Sequence, residues 1–333
     1  MDSIYYPHSP INSLKALNKA LKIDEAIMRN ALNNIRYTEL LLTKKDGTTR
    51  IVYDASPALK VIQKRITTQI FHKIVFPGYI HGCIRDRETP RSIYTNASPH
   101  AGKKQIILCD IKNFFPTITE DKVKTVFREL LGFSPIVSER LTTLCTLNSA
   151  LPQGASTSSY IANLIFWDVE PELVRKLKIN NLTYTRFVDD ITISSDKIIS
   201  KEQKTQVLSS IRNTIRKKGC TLKKRKTMVL KRGQSIIEKG NKKQHITRKP
   251  VTVTGLSVHH DRVTISKQER RNIRAAVHRL EKTDARMVSY QTWNTNYASA
   301  MGKVSRLISC GHKEGEVLKQ RLKALKSSHK VFH

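Results

Sequence analysis

The sequence predicts an α+β chain organised around an antiparallel sheet, and three observations carry that expectation. Apolar runs of strand length alternate with segments of helical period, yet no glycine fingerprint of a parallel βαβ unit accompanies them. Two pairs of strand-like runs flank turn residues at hairpin spacing. From Ser266 onward the pattern is helical, basic and poor in glycine.

Taken in order, Leu14, Leu17 and Leu21, then Ile27, Leu32 and Ile35, recur at helical spacing and predict short helices in residues 11–43. Leu40, Leu41 and Leu42 stand across Asp46-Gly47 from Ile51, Val52 and Tyr53, which predicts a β-hairpin with a basic tip. Leu59, Ile62, Ile66 and Ile70 predict a helix over 57–76, and residues 81–100, rich in Arg, Pro, Gly and Asn, read as a long loop. Residues 105–109 form an apolar strand that ends on Asp110. Thr119 is the expected N-cap of a helix whose Val123, Val126, Phe127, Leu130 and Leu131 face the core and which Gly132 closes. The small-residue loop 151–158 leads into a helix expected to run to about Leu177. Strands at 182–188 and 190–194, a helix near 201–218 and a strand at 227–230 follow. Alternating Val251, Val253, Val258, Val263 and Ile265, interrupted by His259-His260-Asp261, predict a second hairpin.

A chain of 333 residues holds one large domain or two to three packed subdomains, with a core that needs no disulfide staples. Its charge sets the class of partner. Sixty Lys and Arg against 27 Asp and Glu give a net charge of +33, which a folded chain tolerates most readily when it works on a polyanion. No apolar run reaches the roughly 18 residues of a membrane span, and the opening residues lack the basic-then-apolar layout of a signal peptide. A cytoplasmic protein with no membrane partner is expected. The five cysteines are scattered and form no C-x-x-C, which excludes a disulfide framework and argues against structural zinc. Any metal is expected on carboxylates.

Three carboxylates stand out: Asp110, and Asp189 with Asp190 at the tip of a predicted hairpin. A pair of acids in a turn reads by itself as a solvated turn. Here each acid ends a strand among apolar neighbours, where an unpaired charge is costly unless a cation compensates it. Two Mg²⁺ ions about 3.5–4 Å apart, held by carboxylates from separate strands, would activate a primer hydroxyl and steady a leaving pyrophosphate. Magnesium's preference for oxygen donors accounts for Asp in place of His or Cys. The expected chemistry is nucleotidyl transfer.

Asp110-Ile111-Lys112-Asn113-Phe114-Phe115-Pro116, Leu151-Pro152-Gln153-Gly154-Ala155 and Phe187-Val188-Asp189-Asp190 resemble, in order and setting, the palm motifs of reverse transcriptases. Asn96-Ala97-Ser98-Pro99-His100 and Val253-Thr254-Gly255 resemble the N-A-x-x-H and V-T-G elements of the retron branch. The resemblance runs from about Lys44 to Ile265. It implies a right-hand polymerase fold: N-terminal helices and fingers over 1–105, a palm with an antiparallel sheet and a primer-grip-like hairpin over 106–265, and a helical basic thumb over 266–333. It also implies residue roles. Asp110 and Asp189 would hold both metals, with Asp190 a weaker ligand, and Phe115 would be the steric gate that selects deoxynucleotides. Gln153 and Gly154 would pack on the incoming nucleotide, while Arg50 with Lys44 or Lys45 would clamp its triphosphate. Lys226 stands where relatives carry a lysine able to protonate pyrophosphate, although its basic surroundings suit a phosphate contact nearly as well. Departures accompany these matches: Phe187 replaces the usual tyrosine, Val188 the usual alanine, Ser156 and Ser159 frequent prolines, and Lys223 an asparagine. Residues 85–90 also look longer than the family loop.

The resemblance further implies the partners. Arg270, Arg271 and Arg274 of the thumb would press on an RNA–DNA duplex, and Trp293, Tyr290 and Tyr297 suit either stacking on bases or core packing. The substrates would be dNTPs and a cognate noncoding RNA serving as template and primer, and the product DNA branched from RNA. No RNase H-like acidic set follows residue 265, so template removal would fall to a host RNase H. Retron systems resemble antiphage modules in which a separate effector protein is restrained by polymerase and product. Two alternatives stay open on the residues alone: another prokaryotic reverse transcriptase acting on a different RNA, and a catalytically idle RNA-binding scaffold.

Overall fold

In the computed structural model, which describes residues 3–43, 47–86, 88–239, 246–283 and 288–330, helices and strands follow one another as the α+β expectation requires. Lys44 and Lys45 lie outside the described residues. The first two helices, α1 (Leu14–Leu21) and α2 (Glu25–Asn33), begin where Ser13 and Asp24 accept backbone N–H groups at 3.2 and 2.8 Å. Strands β1 (Tyr37–Thr43) and β2 (Thr49–Ala55) form the expected hairpin, Leu41 opposite Ile51. Helix α3 (Pro57–Gln69) starts on a proline and buries Leu59, Ile62 and Ile66. It stops short of residue 76 because the chain tightens into a 3₁₀ turn at Phe71–Lys73 and then Val75 pairs with Tyr5.

The stretch expected to be a loop contains a two-residue strand, β3 (Ile80–His81), and a short helix, α4 (Ile93–Ala97). Strand β4 (Gln105–Asp110) is buried almost throughout. After α5 (Phe114–Thr117) and α6 (Glu120–Thr125) a π turn at Val126–Leu130 completes the core-facing stripe. Beyond α7 (Pro135–Cys145) the expected single helix is two, α8 (Ser158–Leu164) and α9 (Glu170–Ile179). The break is local chemistry: Pro171 lacks the N–H that a continuous helix would need and instead sits in the first turn of α9. Strands β5 (Thr183–Phe187) and β6 (Asp190–Ser195), helix α10 (Lys201–Arg216) and strand β7 (Met228–Lys231) follow close to expectation.

The central sheet runs β3-β5-β6-β4-β7, antiparallel except for the β3–β5 edge pair. Helices pack their apolar faces onto it, and a continuous core extends from Ile4 to Cys220. This body, residues Met1–Asn96 with Lys104–Lys231, is one compact unit. A second unit comprises Ala97–Lys103 with Arg232–His333. In it β8 (Ser235–Lys239) pairs with β9 (Ile246–Pro250), a hairpin the sequence did not suggest. Strands β10 (Thr252–Val253) and β11 (Leu256–Ser257) flank an additional turn at Thr254-Gly255, both with positive φ, and the chain then turns at His259–Asp261 as expected, where Ser257 and Thr264 pair antiparallel through bonds of 2.8 and 2.9 Å. Helices α11 (Lys267–Lys282), α12 (Tyr290–Ser309) and α13 (Glu314–Lys330) pack together through Ile273, Val277, Val304 and Leu307. Trp293 and Tyr297 are buried and stacked at 5.2 Å, so they belong to this core, whereas Tyr290 is exposed.

Candidate active site

Sheet pairing gathers the acids that the chain keeps far apart. Phe187 pairs with Asp190, so Val188 and Asp189 form a two-residue turn between β5 and β6. Val188 has φ +58°, the sign a type II′ hairpin demands at its first central position and that glycine usually supplies. Asp110, last residue of β4, lies opposite Asp190 in register. One residue on, the Ile111 N–H donates to the Asp189 carbonyl at 3.0 Å. The three carboxylates therefore share one end of the sheet.

Their electrostatics follow from that crowding. Asp110 is buried and paired with the Lys226 ammonium. Burial first, and then the Asp110 charge, raises the Asp189 carboxyl above its ordinary range. Asp190 is exposed as a residue, yet the atoms packed about its carboxyl, followed by Asp189 and Asp110, push it up to about 7. Burial opposes the charge of Lys226, but its bond to Asp110 and the other two acids outweigh that and raise its pKa. Like charges held together while one lysine offsets them make a site with residual attraction for cations.

A cleft of about 670 Å³ opens beside the acids, lined among others by Arg50, Asp110, Phe115, Gln153, Asp189 and Lys226. Arg50 projects from β2 and donates Nε–H to Gln153 Oε1 at 2.7 Å. The Tyr53 N–H donates to the Gln153 carbonyl at 2.7 Å, and Gly154, at φ +115°, lets β2 approach: a Cβ there would lie 2.8 Å from the Tyr53 carbonyl oxygen. Phe115 is half-buried and meets Phe114 edge-on at 6.1 Å. The expected nucleotide-site residues that are described thus come together.

Other expected residues stand elsewhere. Asn96 is fully buried in α4, its carbonyl accepting from Thr185 Oγ1 at 3.4 Å, while among the described residues neither atom of its side-chain amide finds a hydrogen-bond partner. His100, Val253, Thr254 and Gly255 belong to the second unit, where Arg306 donates to the Gly255 carbonyl at 2.9 Å. On α11, Arg274 forks onto Glu314 at 2.6 and 2.9 Å and Arg270 meets His312 at 3.0 Å, whereas Arg271 is exposed. Sequence reasoning missed Arg186, fully buried beneath the acid-bearing turn. Its signal was present: strand alternation sets Arg186 on the same inward face as Tyr184.

The donor chemistry fits a hard divalent cation, since only carboxylate oxygens face the cleft from the acids and their mutual repulsion needs positive charge. Among the described residues, no three His, Cys, Asp or Glu side chains close into a cage around one point. Magnesium does not require one, because it keeps several waters and usually takes one or two carboxylates together with substrate phosphates.

Comparison with known proteins agrees with this geometry. Residues 42–258 match the family described as reverse transcriptase (RNA-dependent DNA polymerase). The retron Se72 reverse transcriptase of Salmonella heidelberg is 34% identical over 91% of this chain and 77% of its own length. The retron Ec48 reverse transcriptase of Escherichia coli is 33% identical over 96% and 77%, and the retron Ec86 reverse transcriptase of Escherichia coli 30% over 81% and 78%. With a carboxylate-bearing sheet end, a nucleotide-sized cleft and relatives of this kind along most of its length, the chain belongs to the retron reverse transcriptases, RNA-directed DNA polymerases.

Proposed function

We propose that this polymerase copies part of a cognate structured noncoding RNA, which is both template and primer, into DNA that stays branched from the RNA. The observation that carries the reading is the meeting of Asp110 with Asp189 and Asp190 at the mouth of a cleft that also presents Arg50, Phe115, Gln153 and Lys226. The primer hydroxyl gives up its proton to solvent water and attacks the α-phosphorus of a dNTP; a new P–O bond forms, and the bond to the β-phosphate breaks to release pyrophosphate. Asp110 and Asp189, with Asp190 beside them, would hold two Mg²⁺ ions, which would supply the positive charge that this exchange needs. Lys226, kept protonated by its acidic neighbours, is placed to give a proton to the leaving pyrophosphate. Arg50, with Lys44 or Lys45 a few residues before it in sequence, holds the triphosphate. The Phe115 ring excludes a ribose 2′-OH, and Gln153 with Gly154 packs on the nucleotide.

In this reading the first residues to 105 serve as fingers, 106–265 as palm and 266–333 as thumb. Arg271, with Arg270 and Arg274 as their bonds to His312 and Glu314 allow, tracks duplex phosphates. The segments built around Asn96, His100 and Val253-Thr254-Gly255 select the cognate RNA through the surface they support, since the side chains of Asn96, His100 and Val253 are buried. The enzyme acts in the cytoplasm within an antiphage retron, where a host RNase H trims the template and a separate effector protein is restrained by the product. Incubating the purified chain with its upstream RNA, dNTPs and Mg²⁺, then removing protein, tests the proposal. Short DNA still joined to RNA is expected; extension only from an added, separate primer contradicts the branched product.

A further inference from the structure

We propose that Arg186 is a positioning residue for nucleotidyl transfer: from beneath the β5–β6 turn its guanidinium fixes the strained Val188 peptide and thereby aims the Asp189 carboxylate. The inference rests on the catalytic role given to Asp189 above.

All five N–H donors of Arg186 are used. Nε donates to Glu170 Oε1 at 2.6 Å and Nη2 to Glu170 Oε2 at 2.7 Å, the bidentate fork of a strong pair. Nη2 also reaches the Asn163 carbonyl at 3.0 Å, and Nη1 the Asn163 Oδ1 at 3.2 Å. The remaining bond runs from Nη1 to the Val188 carbonyl at 3.0 Å. Four bonds therefore anchor the fork to the helices behind the sheet, and the fifth holds the peptide that precedes Asp189. Glu170 is fixed in turn by Tyr184 Oη–H at 2.6 Å and by its place at the start of α9.

Val188 is where holding is needed. A β-branched residue at φ +58° is strained, and such residues persist only where surroundings over-determine them. The turn is gripped from a second side as well. Asn163 Nδ2 donates to the Gly82 carbonyl at 2.8 Å, and a Cβ on Gly82 would lie 2.9 Å from the Phe187 ring and 3.0 Å from Val188 Cγ2. The guanidinium also lies 5.2 Å from the centre of the Phe166 ring, which stacks on Phe114, the neighbour of the sugar gate Phe115. One buried group thus braces the metal-site turn and the floor under the nucleotide.

Packing alone does not explain it. A buried ion pair is often no more stabilising than apolar side chains of similar volume. An apolar side chain here would leave the Val188 carbonyl and Asn163 Oδ1 without donors.

The test is Arg186→Lys, which keeps the charge and loses the fork, compared with wild type on primed RNA. We expect a fall in kcat of about tenfold or more and a several-fold higher Mg²⁺ concentration for half-maximal rate, with KM for dNTP and RNA affinity within about threefold. Amide exchange measured without metal should quicken over residues 187–190 and stay unchanged in α10. Val188→Gly placed in the Arg186→Lys background should recover part of the rate, because glycine adopts the turn unaided. Wild-type metal dependence and exchange in folded Arg186→Lys, or a loss that falls on KM alone, would overturn the proposal. Should that variant not fold, Glu170→Gln, which weakens the anchor while keeping its shape, reads the same quantities against the same criteria. Failure of wild type itself to extend a primer would count against the catalytic reading instead.

Discussion

Asp190 shows most plainly what this site costs the fold. Its carboxyl, ordinarily at 3.8, is pushed up to about 7 by burial and by the neighbouring acids. The folded chain therefore binds this proton more tightly than the unfolded chain does, so stability is lost as pH rises from about 4 to 7 and the full penalty stands above that. Asp190→Asn should accordingly melt a few degrees higher than wild type at pH 7.5 in chelator, with the gap closing by pH 4. Equal melting temperatures at both pH values would show that the acids do not repel. Phe115 answers a different question. Phe115→Ala should admit ribonucleotides, lowering discrimination between dNTP and NTP in kcat/KM by about tenfold or more, and unchanged selectivity would remove it from the site. These residues were legible in the sequence because short motifs carry them. Arg186 was not, because its meaning lies in partners at 163 and 170 that only folding brings to it.

At the scale of elements, the β1–β2 hairpin was readable from its turn, but its exposure was not. Leu41 is 71% exposed, since two strands alone have no second layer to cover them. What ties the hairpin to the site is Gly154. Alanine there would meet the Tyr53 carbonyl at 2.8 Å in a backbone conformation that side chains resist, a strain of roughly 1–3 kcal/mol. Gly154→Ala should displace β2, release Arg50 from Gln153 and raise KM for dNTP by about tenfold, while α11–α13 melt unchanged. An unaltered KM would mean that Arg50 does not depend on this contact. Two of the departures from the sequence reading share one cause. Strand β3 exists because it pairs with β5, and α3 ends early because Val75 pairs with Tyr5, both contacts between distant segments.

For the whole molecule, a net charge of +33 contrasts with the cluster of acids that the first compact unit gathers at the end of its sheet. Among the described residues no helix is long and apolar enough to cross a membrane. Such a charge draws phosphate backbones without regard to sequence, so affinity for RNA and the chemistry proposed at Asp189 are separable properties. Purified wild type and Asp189→Asn, assayed side by side for primer extension and for RNA binding, test this directly. We predict that the variant loses extension by about 1,000-fold or more, some 4 kcal/mol of transition-state stabilisation, and keeps RNA affinity within a few fold. Extension at the wild-type rate, or an equal loss of binding and extension, would contradict a catalytic centre built on these acids.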